Sequence, residues 1–208
     1  HMDSNNILKK ALIGLWSTFI LGIVSIILLF WMISKGWLGY LPPLEELQNP
    51  RNKYATEVIS SDMQLLGRYY RQENRVGVNY EDISPNMINA LIATEDARYY
   101  SHTGIDFKSL LRAIIKMGRA GGGSTITQQL AKQLWSPRAN NIFERALQKP
   151  IEWVIATKLE RLYSKEEILT MYLNQFDFLY NAVGIKSAAQ VYFSTTPDKL
   201  TIEESAML

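Results

Sequence analysis

Hydrophobic and polar residues divide the chain into one long apolar run and a domain of mixed patterning. Residues 11–33 form a run of 23 residues without a charge, which as a helix at about 1.5 Å per residue spans a hydrocarbon core of about 30 Å. A cleaved signal peptide has a shorter apolar core of roughly 7 to 15 residues, and a core helix of a soluble domain is rarely this long. The pattern therefore predicts an uncleaved transmembrane helix.

The residues that flank this run indicate its orientation. Lys9 and Lys10 precede it, and Trp31, Trp37 and Tyr40 lie at its far end. Positive charge favours the cytoplasmic side, and aromatic rings favour the interface. We therefore expect a cytoplasmic N-terminus and a domain on the outer or periplasmic side of the membrane, although basic residues that follow the run reduce the charge bias.

The rest of the chain divides into a connection and a domain. Residues 34–53 read as a proline-marked linker. Two extended runs, Tyr54–Ser60 and Gln64–Tyr70, predict a β-hairpin with Ser61 and Asp62 in the turn. Helical patterning follows, with predicted starts at Ser84-Pro85, Ser124, Pro150, Ser164 with Glu167, and Thr201 with Glu204.

The predicted organisation is a cytoplasmic tail at 1–10 that begins with a tag remnant, His1-Met2, a transmembrane helix at 11–33, a linker at 34–53 and a domain at 54–208. The last residues, 203–208, stop inside an apolar helical pattern. We therefore expect the natural protein to continue. The fold class is mainly α with a small β element near the membrane.

Composition excludes several classes of function. The net charge is +2, with 22 basic and 20 acidic residues dispersed along the chain, so a nucleic-acid surface is not expected. The chain has no cysteine, which excludes disulfides and thiolate metal sites and is compatible with an oxidising exterior.

Two glutamates are candidates for chemistry. At about 100° per residue, Glu95 falls on the apolar stripe of its helix with Leu91, and Glu152 lies almost in line with Leu159. Two inward carboxylates suit glycosidic chemistry, which needs a base and a stabiliser of positive charge. For a lone glutamate such as Glu95, a structural ion pair or a helix-end hydrogen bond is the commoner explanation, and an inward pair also arises by chance.

A glycine-rich stretch lies between the two glutamates. Residues 121–123 are glycines that lead into a helix, where Ser124, Gln128 and Lys132 recur every four residues as one polar stripe. A helix N-terminus with hydroxyls and a lysine predicts an anion site. The alternative is an ordinary solvated face, and the loop lacks the Gly-Lys-Ser/Thr of a nucleotide P-loop.

These segments resemble the peptidoglycan glycosyltransferases of glycosyltransferase family 51, found alone or at the front of class A penicillin-binding proteins. Four motifs coincide in order: Glu95-Asp96-Ala-Arg-Tyr-Tyr-Ser-His102-Thr-Gly104, Gly123-Ser124-Thr-Ile-Thr-Gln128-Gln129-Leu-Ala-Lys132, Lys149-Pro-Ile-Glu152, and Lys165-Glu-Glu-Ile-Leu-Thr-Met-Tyr172-Leu173-Asn174. The match runs from about Ser84 to the C-terminus, and the second motif is highly specific.

The resemblance implies a lysozyme-like helical lobe with a smaller membrane-proximal jaw. It implies that Glu95 is the general base, that Glu152 is a second essential glutamate, and that lipid II is polymerised by inversion to a β-1,4 bond with release of undecaprenyl pyrophosphate. The implied substrate contacts are Asp96, His102, Gly104, Ser124, Thr125, Gln128, Gln129, Lys132, Arg145, Lys149 and Asn174.

The resemblance also implies a bacterial cytoplasmic membrane, a divalent cation such as Mg²⁺ or Mn²⁺, inhibitors of the moenomycin type, and other cell-wall synthesis proteins as partners. The chain departs from the family pattern at Gln148, where an arginine is usual, and either Arg138 or Arg145 would replace that cation. A lysozyme-like lytic enzyme and a catalytically silent membrane-anchored scaffold are the alternatives. A transpeptidase would begin beyond Leu208.

Overall fold

A computed structural model of the protein describes residues 2–48, 56–59, 65–69, 77–115, 122–135 and 141–208. In these segments the chain is mainly helical, as predicted. The α-helices are α1 (Met2–Ser34), α2 (Leu44–Gln48), α3 (Pro85–Glu95), α4 (Phe107–Ile115), α5 (Ile126–Trp135), α6 (Ile142–Leu162), α7 (Lys165–Gln175), α8 (Ile185–Phe193) and α9 (Ile202–Met207). Short 3₁₀ helices lie at Tyr80–Asp82, Tyr99–Ser101 and Pro197–Lys199.

The predicted β element is confirmed. Strands β1 (Thr56–Ile59) and β2 (Leu65–Tyr69) pair antiparallel, with Thr56 opposite Tyr69. The register shifts between Val58 and Ile59, which marks an irregularity of the kind that bends a ribbon. The predicted turn at Ser61 and Asp62 lies outside the described residues.

Helix α1 contains the predicted span. Within residues 5–34, an 18-residue stretch has a mean hydropathy of 2.5 and contains no buried residue, which makes this helix long and apolar enough to cross a membrane. Its last turn touches the domain, because Ile33 is fully buried and the ring of Phe30 stacks on Trp153 of α6 at 6.1 Å between centroids. Helix α1 therefore packs directly on the helix that carries Glu152.

The stretch predicted to be a linker also packs on the domain. Leu47 of α2 is fully buried in the core, and its carbonyl oxygen accepts a hydrogen bond of 2.6 Å from the Tyr163 hydroxyl. Trp135 Nε1 donates to Glu46 Oε1 at 3.1 Å. Gly39 has a φ of +76°, and a Cβ there would meet the end of the Ile151 side chain. These contacts hold the membrane-proximal chain against α5 and α6.

Three of the predicted helix starts are confirmed by their caps. Ser84 accepts a hydrogen bond from the backbone N–H of Asn86, and full capping boxes join Ser164 to Glu167 and Thr201 to Glu204. In each case a short polar side chain bonds an N–H that the helix itself leaves unpaired. These caps fix where α3, α7 and α9 begin.

Two predicted helix starts are wrong. Pro150 lies inside α6, which begins at Ile142 after the N-cap Asn141. The proline interrupts one backbone hydrogen bond, but burial of one face of a 21-residue helix keeps the helix continuous. Helix α5 begins at Ile126, and Thr125 rather than Ser124 caps it, because Thr125 Oγ1 accepts from the N–H of Gln128 at 3.2 Å.

The core lies where α3, α5, α6 and α7 meet. Helix α5 packs between α6 and α7, and α9 packs on α3. The fully buried side chains at the centre include Tyr99, Ile126, Leu130, Ile155, Leu159, Ile168, Leu169 and Leu173. The ends of α3 and α5 therefore meet at one edge of a rigid core, which is where the candidate site lies.

Candidate active site

A cavity of about 460 Å³ opens between the end of α3, the start of α4 and the glycine loop ahead of α5. Its lining is mostly polar and includes residues of the first and second motifs and of the glycine loop. The lining residues include Glu95, Asp96, Arg98, Asp106, Ser109, Arg112, Gly123, Ser124, Thr125 and Gln129. The structure therefore brings the first and second motifs together at one concave surface.

Glu95 is the last residue of α3, and its side chain is exposed in this cavity. The prediction that it sits at the centre of a buried apolar stripe is wrong. Glu95 does lie on the same face as Leu91, since both line a second, smaller cavity of about 220 Å³. The buried core ends one turn before Glu95, so the last residue on this face of the helix is exposed to solvent.

A neutral amide holds the Glu95 carboxylate. Gln129 Nε2 of α5 donates to Glu95 Oε2 at 2.7 Å, and Gln129 Oε1 accepts from the Tyr172 hydroxyl of α7 at 3.0 Å. Within the described part of the chain, no hydrogen bond to Glu95 Oε1 is found. One carboxylate oxygen is thus fixed by the protein, and the other has no hydrogen-bond partner among the described residues.

Asp96, although next in sequence, is buried and fully engaged. Both of its carboxylate oxygens lie within 3.0 Å of His102 Nε2, and Oδ2 also accepts from the backbone N–H of Ile126 at 3.1 Å. Asp96 therefore fills one of the N–H positions at the start of α5. The structure places Asp96 and His102 as a joint between the first and second motifs and not at the open surface.

Gly104 and Gln128 form a second joint between these motifs. Gly104 has a φ of +89°, and a Cβ there would lie 3.0 Å from the backbone of Ala156, so both conformation and space require glycine. Its carbonyl oxygen accepts from Thr125 Oγ1 at 2.7 Å and from Gln128 Nε2 at 3.0 Å. Gln128 is 2% exposed.

The predicted polar stripe of Ser124, Gln128 and Lys132 is therefore wrong. Gln128 faces inward and only Lys132, near the other end of α5, is exposed. Two N–H groups at the start of α5, those of Ile126 and Gln128, are already bonded to Asp96 and Thr125. What is left for an anion is the glycine loop and the cations beside it.

One such cation is Lys149, which contacts the loop at Ser124. Its Nζ donates to Ser124 Oγ at 3.0 Å and lies 2.9 Å from Glu152 Oε2. The Lys149 side chain is 53% exposed, whereas that of Glu152 is 2% exposed. The inward position predicted for Glu152 is confirmed. The contact with Lys149 has ion-pair distance but not hydrogen-bond angles, since Oε2 has no hydrogen-bond partner.

Two of the remaining predicted contacts lie apart from the cavity lining. Arg145 is exposed in the first turn of α6, and its alternative, Arg138, lies outside the described residues. Asn174 clamps the backbone of Val78, with Nδ2 donating to its oxygen and Oδ1 accepting from its nitrogen, both at 3.0 Å. The Asn174 side chain thus has a structural partner for each of its amide atoms.

The sequence did not predict a buried network of hydrogen bonds around Glu160. Glu160, which the sequence suggested lies near the helix rim, has a side chain that is 4% exposed. It accepts from Thr127 Oγ1 at 2.6 Å and pairs with Lys165 Nζ at 2.8 Å, and that amine also bonds the His102 carbonyl oxygen at 2.8 Å. Glu160 and Lys165 are five residues apart in the sequence, and the break between α6 and α7 lies between them. Helical periodicity applies to one helix at a time, so it could not place these two side chains together.

Arg98 and Asp106, on the opposite wall, were also missed. Arg98 Nε donates to Asp106 Oδ2 at 3.0 Å, and Asp106 Oδ1 caps α4 by accepting from the N–H groups of Lys108 and Ser109. Burial alone would raise the pKa of Asp106, but hydrogen bonds from Arg98 and Ser109 outweigh it and hold the pKa well below its usual range. Asp106 before Phe107 is an N-cap signal.

A resident metal has no prepared cage in the described residues, because they contain no group of three or more His, Asp or Glu side chains that could hold one. Mg²⁺, however, often binds through one or two carboxylates together with substrate phosphates and water. Among the carboxylates that line the cavity, Glu95 has one oxygen without a hydrogen-bond partner in the described residues.

Comparison with known proteins gives consistent matches. A family model described as Transglycosylase matches residues 62–208. Penicillin-binding protein 1A of Escherichia coli (strain K12) is 38% identical over 174 residues, 81% of this chain and 20% of that protein. Penicillin-binding protein 1A of Aquifex aeolicus (strain VF5) is 37% identical over 206 residues, 97% of this chain and 27% of that protein.

A third relative, penicillin-binding protein 1F of Bacillus subtilis (strain 168), is 44% identical over 140 residues, 65% of this chain and 19% of that protein. The chain therefore spans about a quarter or less of the length of these relatives. The matched range contains Glu95, Glu152 and the glycine loop.

Proposed function

Because this chain belongs to the transglycosylase family and carries the peptidoglycan glycosyltransferase domain of class A penicillin-binding proteins, we propose that it polymerises lipid II into β-1,4 glycan strands. Undecaprenyl pyrophosphate is the leaving group. The family membership expected from the four motifs is confirmed, whereas the substrate and the leaving group are part of the proposal.

The observation that carries the proposal is the state of Glu95. It is an exposed carboxylate on the wall of a cavity, with one oxygen held by a neutral donor at 2.7 Å and the other without a hydrogen-bond partner among the described residues. A general base must reach the proton it removes. Among the carboxylates in this cavity, Asp96 and Asp106 are already committed to internal bonds.

In the proposed reaction, Glu95 accepts the proton of the GlcNAc 4-hydroxyl of lipid II. The hydroxyl oxygen forms a bond to C1 of the MurNAc at the reducing end of the growing chain. The bond from C1 to the pyrophosphate oxygen breaks, and its electron pair leaves with undecaprenyl pyrophosphate. Attack opposite the leaving group inverts C1 and yields the β-1,4 bond.

The donor pyrophosphate would lie at the glycine loop. Lys149 reaches Ser124 on this loop, and its side chain is half exposed even though its amine contacts Glu152. Gly123 packs so closely on α4 that a Cβ would lie 3.2 Å from Leu110 Cα, which keeps the loop pressed to the wall. A divalent cation, if bound, would supply further positive charge to the pyrophosphate.

We also propose that α1 places the domain on the outer face of the cytoplasmic membrane. The length and apolarity of α1 support a membrane span, and Lys9 and Lys10 before it support a cytoplasmic N-terminus. A membrane-impermeant amine label added to intact cells should modify the domain. Protection of the domain until lysis would reverse the orientation.

The polymerisation itself is tested with the detergent-purified protein and labelled lipid II, followed by gel separation of the products. We expect a ladder of long glycan strands that lysozyme degrades. Incubation with preformed glycan strands is the matched reaction for the lytic alternative. Shortening of those strands, with no growth from lipid II, would replace the proposal by a lysozyme-like hydrolase, and inertness toward both would favour a scaffold.

A further inference from the structure

Three side chains from three helices form a hydrogen-bonded series that ends at the cavity. The Tyr172 hydroxyl of α7 lies 3.0 Å from Gln129 Oε1 of α5, and Gln129 Nε2 lies 2.7 Å from Glu95 Oε2 of α3. Tyr172 is 2% exposed, whereas Glu95 is exposed. The series thus runs from the core to the cavity surface.

The position and protonation of Tyr172 are both fixed by its surroundings. Its ring stacks on Phe176 with centroids 5.3 Å apart and belongs to the core. Burial raises the pKa of the Tyr172 hydroxyl, and the negative charge of Glu95 raises it further. The hydroxyl therefore keeps its proton at physiological pH and acts as a donor.

A donor at this point decides which way the Gln129 amide faces. If the hydroxyl donates to Oε1, the Nε2 group must face Glu95 and donate to its carboxylate. The flipped amide would set Oε1 against the carboxylate, where two acceptors repel, and would leave the buried hydroxyl proton without a partner. Both contacts favour the same orientation.

We infer that Tyr172 is a positioning residue for glycosyl transfer, which acts through Gln129 to hold Glu95 Oε2 and leave Oε1 directed at the acceptor hydroxyl. This inference rests on the proposed function, in which Glu95 is the base. In this orientation Gln129 presents only an N–H group to Glu95, so it acts as a hydrogen-bond donor to the carboxylate. Tyr172 touches no substrate and is not itself a catalytic residue.

The positioning role predicts a specific pattern in the kinetics of the full chain on lipid II. Tyr172→Phe removes only the hydroxyl and keeps the ring packed. We expect kcat to fall about 10-fold, the effect of one lost hydrogen bond to a group next to a charge, with KM nearly unchanged. A change in KM alone would contradict the role, because positioning of the base affects the transition state and not substrate binding.

A double-mutant cycle separates positioning from packing. In the Gln129→Ala background, Tyr172→Phe should have no further effect on kcat, since the residue through which it acts is gone. Tyr163→Phe is the matched control: its hydroxyl donates to the Leu47 carbonyl oxygen at 2.6 Å, and Tyr163 lines neither of the two cavities that contain Glu95. It should lose similar thermal stability and keep wild-type kcat.

The outcomes distinguish this inference from the function beneath it. Additive losses in the cycle, or wild-type kcat for Tyr172→Phe, would overturn the positioning role while Glu95 remained the base. If a folded Glu95→Gln variant polymerised lipid II normally, the proposed mechanism would fail first. Tyr172→Phe in the Glu95→Gln background should also be without effect, because there is no base left to position.

Discussion

Glu95 and Glu152 carry the same carboxyl group in opposite surroundings. Glu95 is exposed at a helix end and held by the neutral amide of Gln129. Glu152 is 1% exposed in the middle of α6 and lies against the cation of Lys149. Glu95 is therefore accessible to a ligand, whereas Glu152 is enclosed and lies at ion-pair distance from a cation.

The difference assigns separate tasks to the two residues. Lys149 bonds Ser124 of the glycine loop as well as contacting Glu152, so we propose that Glu152 acts through this lysine. Glu95 meets the cavity directly. Substitution of Glu95 should therefore affect the reaction step, and substitution of Glu152 should affect donor binding and folding stability.

The largest expected effect is that of Glu95→Gln. This change keeps the shape of the side chain but removes the base, so polymerisation should slow by at least about 10²-fold. Circular dichroism should show a native fold, and binding of lipid II or of a phosphoglycolipid inhibitor should be nearly unchanged. Glu203→Gln, an exposed carboxylate on α9, is the control. Near-normal glycan synthesis by the folded variant would remove Glu95 as the base.

The second prediction compares the two ends of the buried ion pair. Lys149→Ala leaves the charge of Glu152 buried without its cation and should lower the free energy of unfolding by about 2–3 kcal/mol. Glu152→Gln leaves only a half-exposed lysine and should lower it less. Urea unfolding in detergent measures both, and both variants should also use the donor less well.

The double variant Lys149→Ala/Glu152→Gln sharpens this comparison. It should be more stable than Lys149→Ala alone, because the uncompensated charge is gone. Lys186→Ala removes an exposed lysine of α8 and should change stability by less than about 0.5 kcal/mol. Equal losses for Lys149→Ala and Lys186→Ala would mean that Lys149 does not compensate the charge of Glu152.

The smallest effect concerns Asp106, a third carboxylate that lies in the cavity of Glu95 but is paired like Glu152. Its pKa is held below its usual range by Arg98 and Ser109 against the effect of burial, so its contribution to stability is present above the unfolded value of about 3.9. Asp106→Asn should cost about 1–2 kcal/mol at pH 7.

The stability that the Asp106 carboxylate contributes should depend on pH. As the pH falls below about 4, the wild-type carboxylate is protonated and its advantage is lost. The difference in unfolding free energy between Asp106→Asn and wild type should therefore shrink between pH 7 and pH 3. The same difference at both values would show that Asp106 stabilises the fold without its charge.

Much of the fold follows from local sequence because its determinants are local. The caps at Ser84, Ser164 and Thr201 bond N–H groups two or three residues away, and an uncharged run of apolar residues specifies a span by length alone. Pro150 misled the prediction of α6, since packing along the helix outweighed the one hydrogen bond that proline removes.

The site was predictable in its membership only in part. The motifs selected Glu95, Glu152, Ser124 and Lys149, which the structure brings to the glycine loop and its surroundings. Helical periodicity placed Gln128 on a polar face, but Gln128 is buried against Gly104. A period describes direction around one helix axis and contains no information about which neighbours cover that direction.

The sequence by itself therefore determined the apolar anchor, the helical class, several helix boundaries and the family, all of which depend on nearest neighbours or on contiguous motifs. Only the tertiary structure decided that the side chain of Glu95 is exposed and that of Asp96 is buried. It also decided that Gln129 and Tyr172 face Glu95, and that α1 rests on the helix of Glu152. Burial and hydrogen-bond partners are properties of contacts between distant segments, and they exist only once those segments pack.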